Sequence, residues 1–181
     1  MKKNLRTIII VVLCAGLCIG YYYYLSNRDK GKETNLTEVE QVITKDLDKS
    51  YPKTAREVVK FYNRILKCYY NEEHTEKELE QLTEQARKLM DQELQEKNPE
   101  DTYLTAVKAD IKSYADEDKT ITSYTIDSTN EVTYKTVNGQ ECAYVEVSYF
   151  VQEKKGANKA SQTYVLRKDA NGNWKILGFY Q

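Results

Sequence analysis

A chain of 181 residues with 27 Lys and Arg against 28 Asp and Glu, a formal net charge of −1 at pH 7, has room for one ordinary domain and little more. Basic residues outnumber acids ahead of residue 34, so the remainder is the more acidic part and repels a phosphate backbone; no nucleic-acid partner is expected. Four cysteines, two of them inside an apolar run, exclude a disulfide framework, and no C-x-x-C or Cys/His zinc spacing occurs.

From Thr7 to Leu25 there is no charged residue. A helix over 7–25 rises 1.5 Å per residue and matches a hydrocarbon core of roughly 30 Å, so a transmembrane helix in contact with the lipid bilayer is expected behind a short cytoplasmic tail, residues 1–6. Lys2, Lys3 and Arg6 precede the run, and Tyr21 to Tyr24 close it where an aromatic belt would sit. The best cleavage candidate, Cys18-Ile19-Gly20, is a poor match to an A-x-A site, and Leu13 and Leu17 ahead of Cys14 and Cys18 do not fit a lipoprotein signal. The segment is therefore expected to stay as an anchor. Arg28, Lys30 and Lys32 nearly balance the basic residues on the other side, so the orientation, with the C-terminal domain extracytoplasmic, rests on the usual behaviour of a short-tailed signal-anchor. Gly16 and Gly20 form a G-x-x-x-G pair that would let two such helices approach and self-associate, against the plainer fact that glycine is common in membrane helices.

Residues 26–53 are polar and read as a linker. Inside it Leu36, Val39, Ile43 and Leu47 recur at helical spacing, which predicts a short helix over 36–47 at the start of the domain, and Pro52 ends the pattern. Residues 54–181 then form the domain proper. Thr54 stands three residues before Glu57, a capping box that opens a helix with Val58, Phe61, Tyr62, Ile65 and Tyr69 on one face. A second box, Thr75 and Glu78, opens HTEKELEQLTEQARKLMDQEL, whose stripe is Leu79, Leu82, Ala86, Leu89 and Met90. Pro99 is placed to begin a third helix, with Glu100 and Asp101 favoured by its dipole and Tyr103, Leu104, Val107 and Ile111 as its stripe.

Near Thr120 the period changes from 3.6 to 2. ITSYTIDS and EVTYKTV read as strands, and Asn138-Gly139 is a strong hairpin signal. Beyond it Ala143, Val145, Val147, Tyr149 and Val151 alternate with Cys142, Tyr144 and Glu146, so Cys142 falls on the face opposite the apolar one and two unpaired thiols, Cys68 and Cys142, are expected. Lys154 to Lys159 read as a loop around Gly156, SQTYVLRKD as a strand, and DANGN as a turn into WKILGFYQ. The fold class is α+β: three to four helices packed on one face of a curved antiparallel sheet of four to five strands.

The capped first helix, the Asn138-Gly139 hairpin, the long alternating strand to Glu153 and the ending DANGNWKILGFYQ together resemble the nuclear-transport-factor-2-like superfamily, over roughly residues 36–181. That resemblance implies a sheet wrapped around helices into a cone with an apolar hollow. Its members include ketosteroid isomerase and scytalone dehydratase, non-catalytic binding domains, and bitopic assembly proteins of secretion and conjugation systems, so the fold does not choose a function. The stretches YPKTAREVVKFYNRILKCYYN, ECAYVEVSYFV and YVLRKDANGNWKILGFY also resemble small single-span membrane proteins of Firmicutes, a likeness that brings no activity with it.

An isomerase of this kind would need a carboxylate base inside the hollow with phenol donors opposite. Tyr62, Tyr69, Tyr149, Tyr164 and Trp174 are the expected lining, but the helical acids lie mainly on polar faces and the apolar strand positions hold none. No catalytic residue, cofactor or metal is assigned, and the protein is expected not to be an enzyme. His74 stands among acids that capping explains, and Asp169, Asn171 and Asn173 suit a hairpin turn better than a calcium loop, since the twelfth position is Tyr180. The expected function is that of a membrane-anchored, extracytoplasmic binding or scaffold domain with a protein partner or a second copy of itself. The alternative is a small apolar ligand in the hollow.

Overall fold

The computed structural model describes residues 20–21 and 36–181. The chain divides into two compact units, Met1–Leu36 and Thr37–Gln181. Within the first, Gly20 and Tyr21 are helical and exposed. The transmembrane helix expected over 7–25, apart from these two residues, and Gly16 of the glycine pair lie outside the described residues. Among the described residues no helix is long and apolar enough to cross a membrane.

The second unit runs α1 (Glu38–Ile43), α2 (Ala55–Asn71), α3 (Glu76–Leu89), α4 (Gln92–Lys97), α5 (Glu100–Asp116), then β1 (Thr120–Ile126), β2 (Thr133–Val137), β3 (Gln140–Glu153), β4 (Gly156–Lys168) and β5 (Trp174–Tyr180). It is α+β, five helices on an antiparallel sheet of five strands. Its helix starts follow from their first turns. Thr37, Thr54 and Thr75 each accept the backbone N–H of the glutamate three residues on, and Glu40, Glu57 and Glu78 each return a carboxylate to the cap's own N–H.

Residues 37–53 are part of the fold and not the tether that their polarity suggests. Val39, Val42 and Leu47 are buried in the core, and the Tyr51 hydroxyl donates to the Trp174 carbonyl across 2.9 Å. Only the helical stretch is shorter than its apolar spacing implies, ending at Ile43. The long stripe from Glu76 to Leu94 also proves to be two helices. At Met90 the chain leaves α3, forms an isolated parallel bridge with Ile176, and Asp91 then caps α4 by accepting the Glu93 N–H at 2.9 Å.

α2 is the axis of the core: Val58, Val59, Ile65 and Cys68 are fully buried and Phe61, Tyr62 and Tyr69 nearly so. In the sheet, β3 carries β1 and β2 end to end on one side, pairing with 147–152 and 140–144 respectively, and β4 on the other, while β5 follows β4. Asn138 and Gly139 both take positive φ, 51° and 78°, as the tight hairpin between β2 and β3 requires. The loop expected over 154–159 is instead a short turn, with Gly156 at φ 136° already beginning β4. Bulges between Ile121 and Ser123 and between Val165 and Leu166 interrupt the register, and such insertions bend a sheet. Ala143, Val145, Val147 and Tyr149 face the helices. Cys142 is buried on the other parity, outside the core cluster, and both it and Cys68 are free thiols.

Candidate functional site

Between the helices and the sheet lies a hollow of about 470 Å³, inside the range of roughly 300–1,000 Å³ usual for small-molecule sites. Its walls follow from spacing. On α2, Tyr62, Leu66, Tyr69 and Tyr70 come round to one side at intervals of three and four, and on α5 so do Tyr103, Val107, Asp110 and Tyr114. The sheet closes the space with Tyr149 and Val151 of β3, Tyr164 of β4 and Ile176 and Phe179 of β5. Exposure grades along these walls. Tyr69, Tyr164 and Ile176 are at most 2% exposed and form the floor, while Phe179, at 55%, stands with Asp110 at the mouth.

The interior is a web of phenols. The Tyr149 and Tyr164 hydroxyls share a hydrogen bond of 2.6 Å, Tyr62 meets Tyr164 edge to face with ring centroids 5.8 Å apart, and Tyr70 stacks on Tyr114 at 4.0 Å. Burial pushes the Tyr62, Tyr69 and Tyr164 hydroxyls far above their ordinary range. Tyr149 is pushed up to about 12, again by burial, with the Tyr164 hydrogen bond acting the other way. These groups are neutral at any ordinary pH. The Tyr69 hydroxyl is fully buried and meets no partner in good hydrogen-bonding geometry; the Tyr103 hydroxyl is its nearest candidate, close enough for a hydrogen bond to act on the ionisation of both. A buried polar atom left in this way is suited to a guest.

Four of the five residues expected in the hollow, Tyr62, Tyr69, Tyr149 and Tyr164, are in its wall. Trp174 is not. It shares a face of β5 with Ile176 but lies one pair nearer the strand's start, where Tyr134 meets its ring at 5.6 Å and the Lys168 ammonium sits 4.9 Å above it. The sequence reading passes over Tyr70, Tyr114 and Phe179 in this wall, and over Asp110 as well. Its position seven residues beyond Tyr103 and three beyond Val107 puts it on the lining face of α5, where an acid looks like surface unless the neighbouring tyrosines are read as a wall.

The arrangement offers aromatic faces, hydroxyls that donate or accept, and one carboxylate at the rim. It brings together no nucleophile with a base. Burial, with the Glu38 charge adding to it, pushes the Cys68 thiol up to about 12, far from a reactive thiolate. His74 stands with its Nε2 3.4 Å from the Tyr69 carbonyl, and Asp169 spends one oxygen on the amides of Asn171 and Asn173, both at 2.9 Å, closing its own turn. Among the described residues no group of three or more His, Cys, Asp or Glu is placed to hold a metal ion. In a second, more open groove near Lys45, Lys60 and Arg64 two of the cations are engaged: Lys45 lies 4.4 Å over the Phe61 ring and Arg64 donates to Glu38 at 2.7 Å.

The family described as a domain of unknown function, DUF6715, matches residues 1–179. The chain belongs to this family. Comparison with curated proteins gives no match. The DUF6715 match takes in every lining residue of the hollow except Gln181.

Proposed function

We propose that this protein is a membrane-tethered, extracytoplasmic binding domain without catalytic activity, and that its occupant is a small, largely apolar molecule held in the tyrosine-lined hollow. The observation that carries this reading is a space of about 470 Å³ walled by buried phenols, with the poorly satisfied Tyr69 hydroxyl at its floor. An apolar guest with one polar group would satisfy the hydroxyl and displace water from aromatic walls at a gain of roughly 25 cal/mol per Å² buried. The uncharged run over 7–25 supports a single span in the cell membrane, with 1–6 inside and the domain outside. The order of a capped helix, further helices and a hairpin meander supports membership of the nuclear-transport-factor-2-like superfamily, with which five helices on a five-stranded antiparallel sheet are compatible.

A second reading, a scaffold that holds a protein partner or a second copy of the chain, is favoured by β2. All five of its residues are exposed, among them Tyr134 and Val137 at 47% and 41%. Gly16 and Gly20 would add a contact between spans in that case. Native mass spectrometry of the full-length protein, extracted gently from its own membranes, separates the two. A stoichiometric small molecule on a single chain is the expected result; a bare chain accompanied by a protein or by its own copy would overturn the pocket reading in favour of the scaffold.

A further inference from the structure

Among the side chains that line the hollow one carries a full charge, the Asp110 carboxylate, and there is no Lys, Arg or His. The rings of Tyr62, Tyr70, Tyr103 and Tyr114 share the lining with it. An aromatic ring presents a negative face, so rings and carboxylate give this wall a single electrostatic sign. A carboxylate or phosphate guest would meet Asp110 with no cation to offset it. A neutral guest would make no use of it.

We infer that the guest of the hollow is an organic ammonium ion with an apolar body, its charge set against Asp110 and the tyrosine rings at the mouth and its body lying toward Tyr149 and Tyr164. This inference rests on the pocket reading proposed above. Tyr114 already takes part in such a contact on the domain's own account: the Lys119 ammonium lies 5.8 Å from its ring centroid, held there by Glu117 at 2.7 Å and Glu153 at 3.7 Å. Asp110 also acts electrostatically on the phenols of the same wall. After burial, its charge is the largest influence raising the Tyr70 hydroxyl, and it acts in the same sense on Tyr62 and Tyr114.

The test is calorimetric titration of the full-length chain in lipid nanodiscs, with empty discs as the blank, using three probes of one shape: 4-phenylbutylammonium, 4-phenylbutan-1-ol and 4-phenylbutanoate. The ammonium is expected to bind about tenfold or more tighter than the alcohol, with the carboxylate weakest. Asp110→Asn removes the preference of the hollow for the ammonium over the alcohol. Raised salt weakens the ammonium alone, a readout that needs no variant. Equal binding of alcohol and ammonium, or a preference that survives Asp110→Asn, overturns the inference while the pocket reading stands. No binding of any probe overturns both.

Discussion

At the scale of single residues, the hollow turns on which hydroxyls are satisfied. Tyr149 and Tyr164 satisfy each other, whereas Tyr69 carries a poorly satisfied buried oxygen. Tyr69→Phe is therefore expected to leave the unliganded protein within about 1 kcal/mol of the parent, because it removes a desolvated polar atom whose contact with Tyr103 is poorly formed, and to weaken the bound guest. Denaturant midpoints of the two proteins check this; a loss of stability above about 1 kcal/mol would mean that the hydroxyl has a partner after all. A second pair of variants separates wall from periphery. Tyr149→Ala is expected to abolish uptake of the guest, and Trp174→Ala to leave it within about twofold while costing stability, since Trp174 packs on Tyr134 outside the hollow. Loss of uptake in both would return Trp174 to the site. The four tyrosines were legible because helix and strand periodicity fix which face they share. Trp174 was not, because its parity is right and only its distance along β5 is wrong. Asp110 was hidden by its charge, which reads as solvent-facing in any local pattern.

At the scale of elements, the break between α3 and α4 is where local pattern and tertiary structure part. The stripe from Glu76 to Leu94 has no glycine or proline to stop it. What stops it lies far along the chain: the Asp91 N–H donates to the Ile176 carbonyl at 2.8 Å, and Arg167 of β4 grips the Asp91 carboxylate with Nε at 2.7 Å and Nη2 at 2.5 Å. Asp91 could have been read as a helix cap, but the need for one comes from the sheet edge. The pair has one buried member, Asp91 at 5% exposure. Arg167→Ala leaves that charge without its partner and is expected to cost about 2–4 kcal/mol. The pH dependence has a definite sign. Burial alone would raise the Asp91 carboxyl, but Arg167 and the Glu93 amide overcome it and hold the group below its usual value. Its contribution is thus complete above the unfolded value of roughly 3.9 and is lost as pH falls through the lower folded value. Urea midpoints measured from pH 6 down to 2 are expected to drop across that window in the parent and to flatten in Arg167→Ala. A cost below about 1 kcal/mol at pH 6 would show that the ion pair does not hold the break.

At the scale of the whole molecule, the same phenols that line the hollow set how the fold fails in alkali. The sequence has 16 tyrosines, and burial raises Tyr62, Tyr69, Tyr70, Tyr103, Tyr149 and Tyr164 together. A group whose folded value lies above its unfolded one stabilises the fold fully below the unfolded value, here near 10, and loses that contribution as pH climbs toward the folded value. Each such phenol costs about 1.4 kcal/mol per pH unit in that interval, so several acting at once exhaust a stability of roughly 5–15 kcal/mol within one or two units. The walls of the hollow then ionise only by opening. Absorbance of phenolate followed from pH 9 to 13 is expected to separate into a gradual rise near 10 from exposed phenols and a steep, cooperative step above it. The near-ultraviolet circular dichroism should collapse with the second and not with the first. A guest that binds the closed hollow moves that step to higher pH, since it binds the folded state alone. One smooth titration centred near 10 with the dichroism intact would mean that water already reaches these rings, and with it the enclosed apolar site would fall.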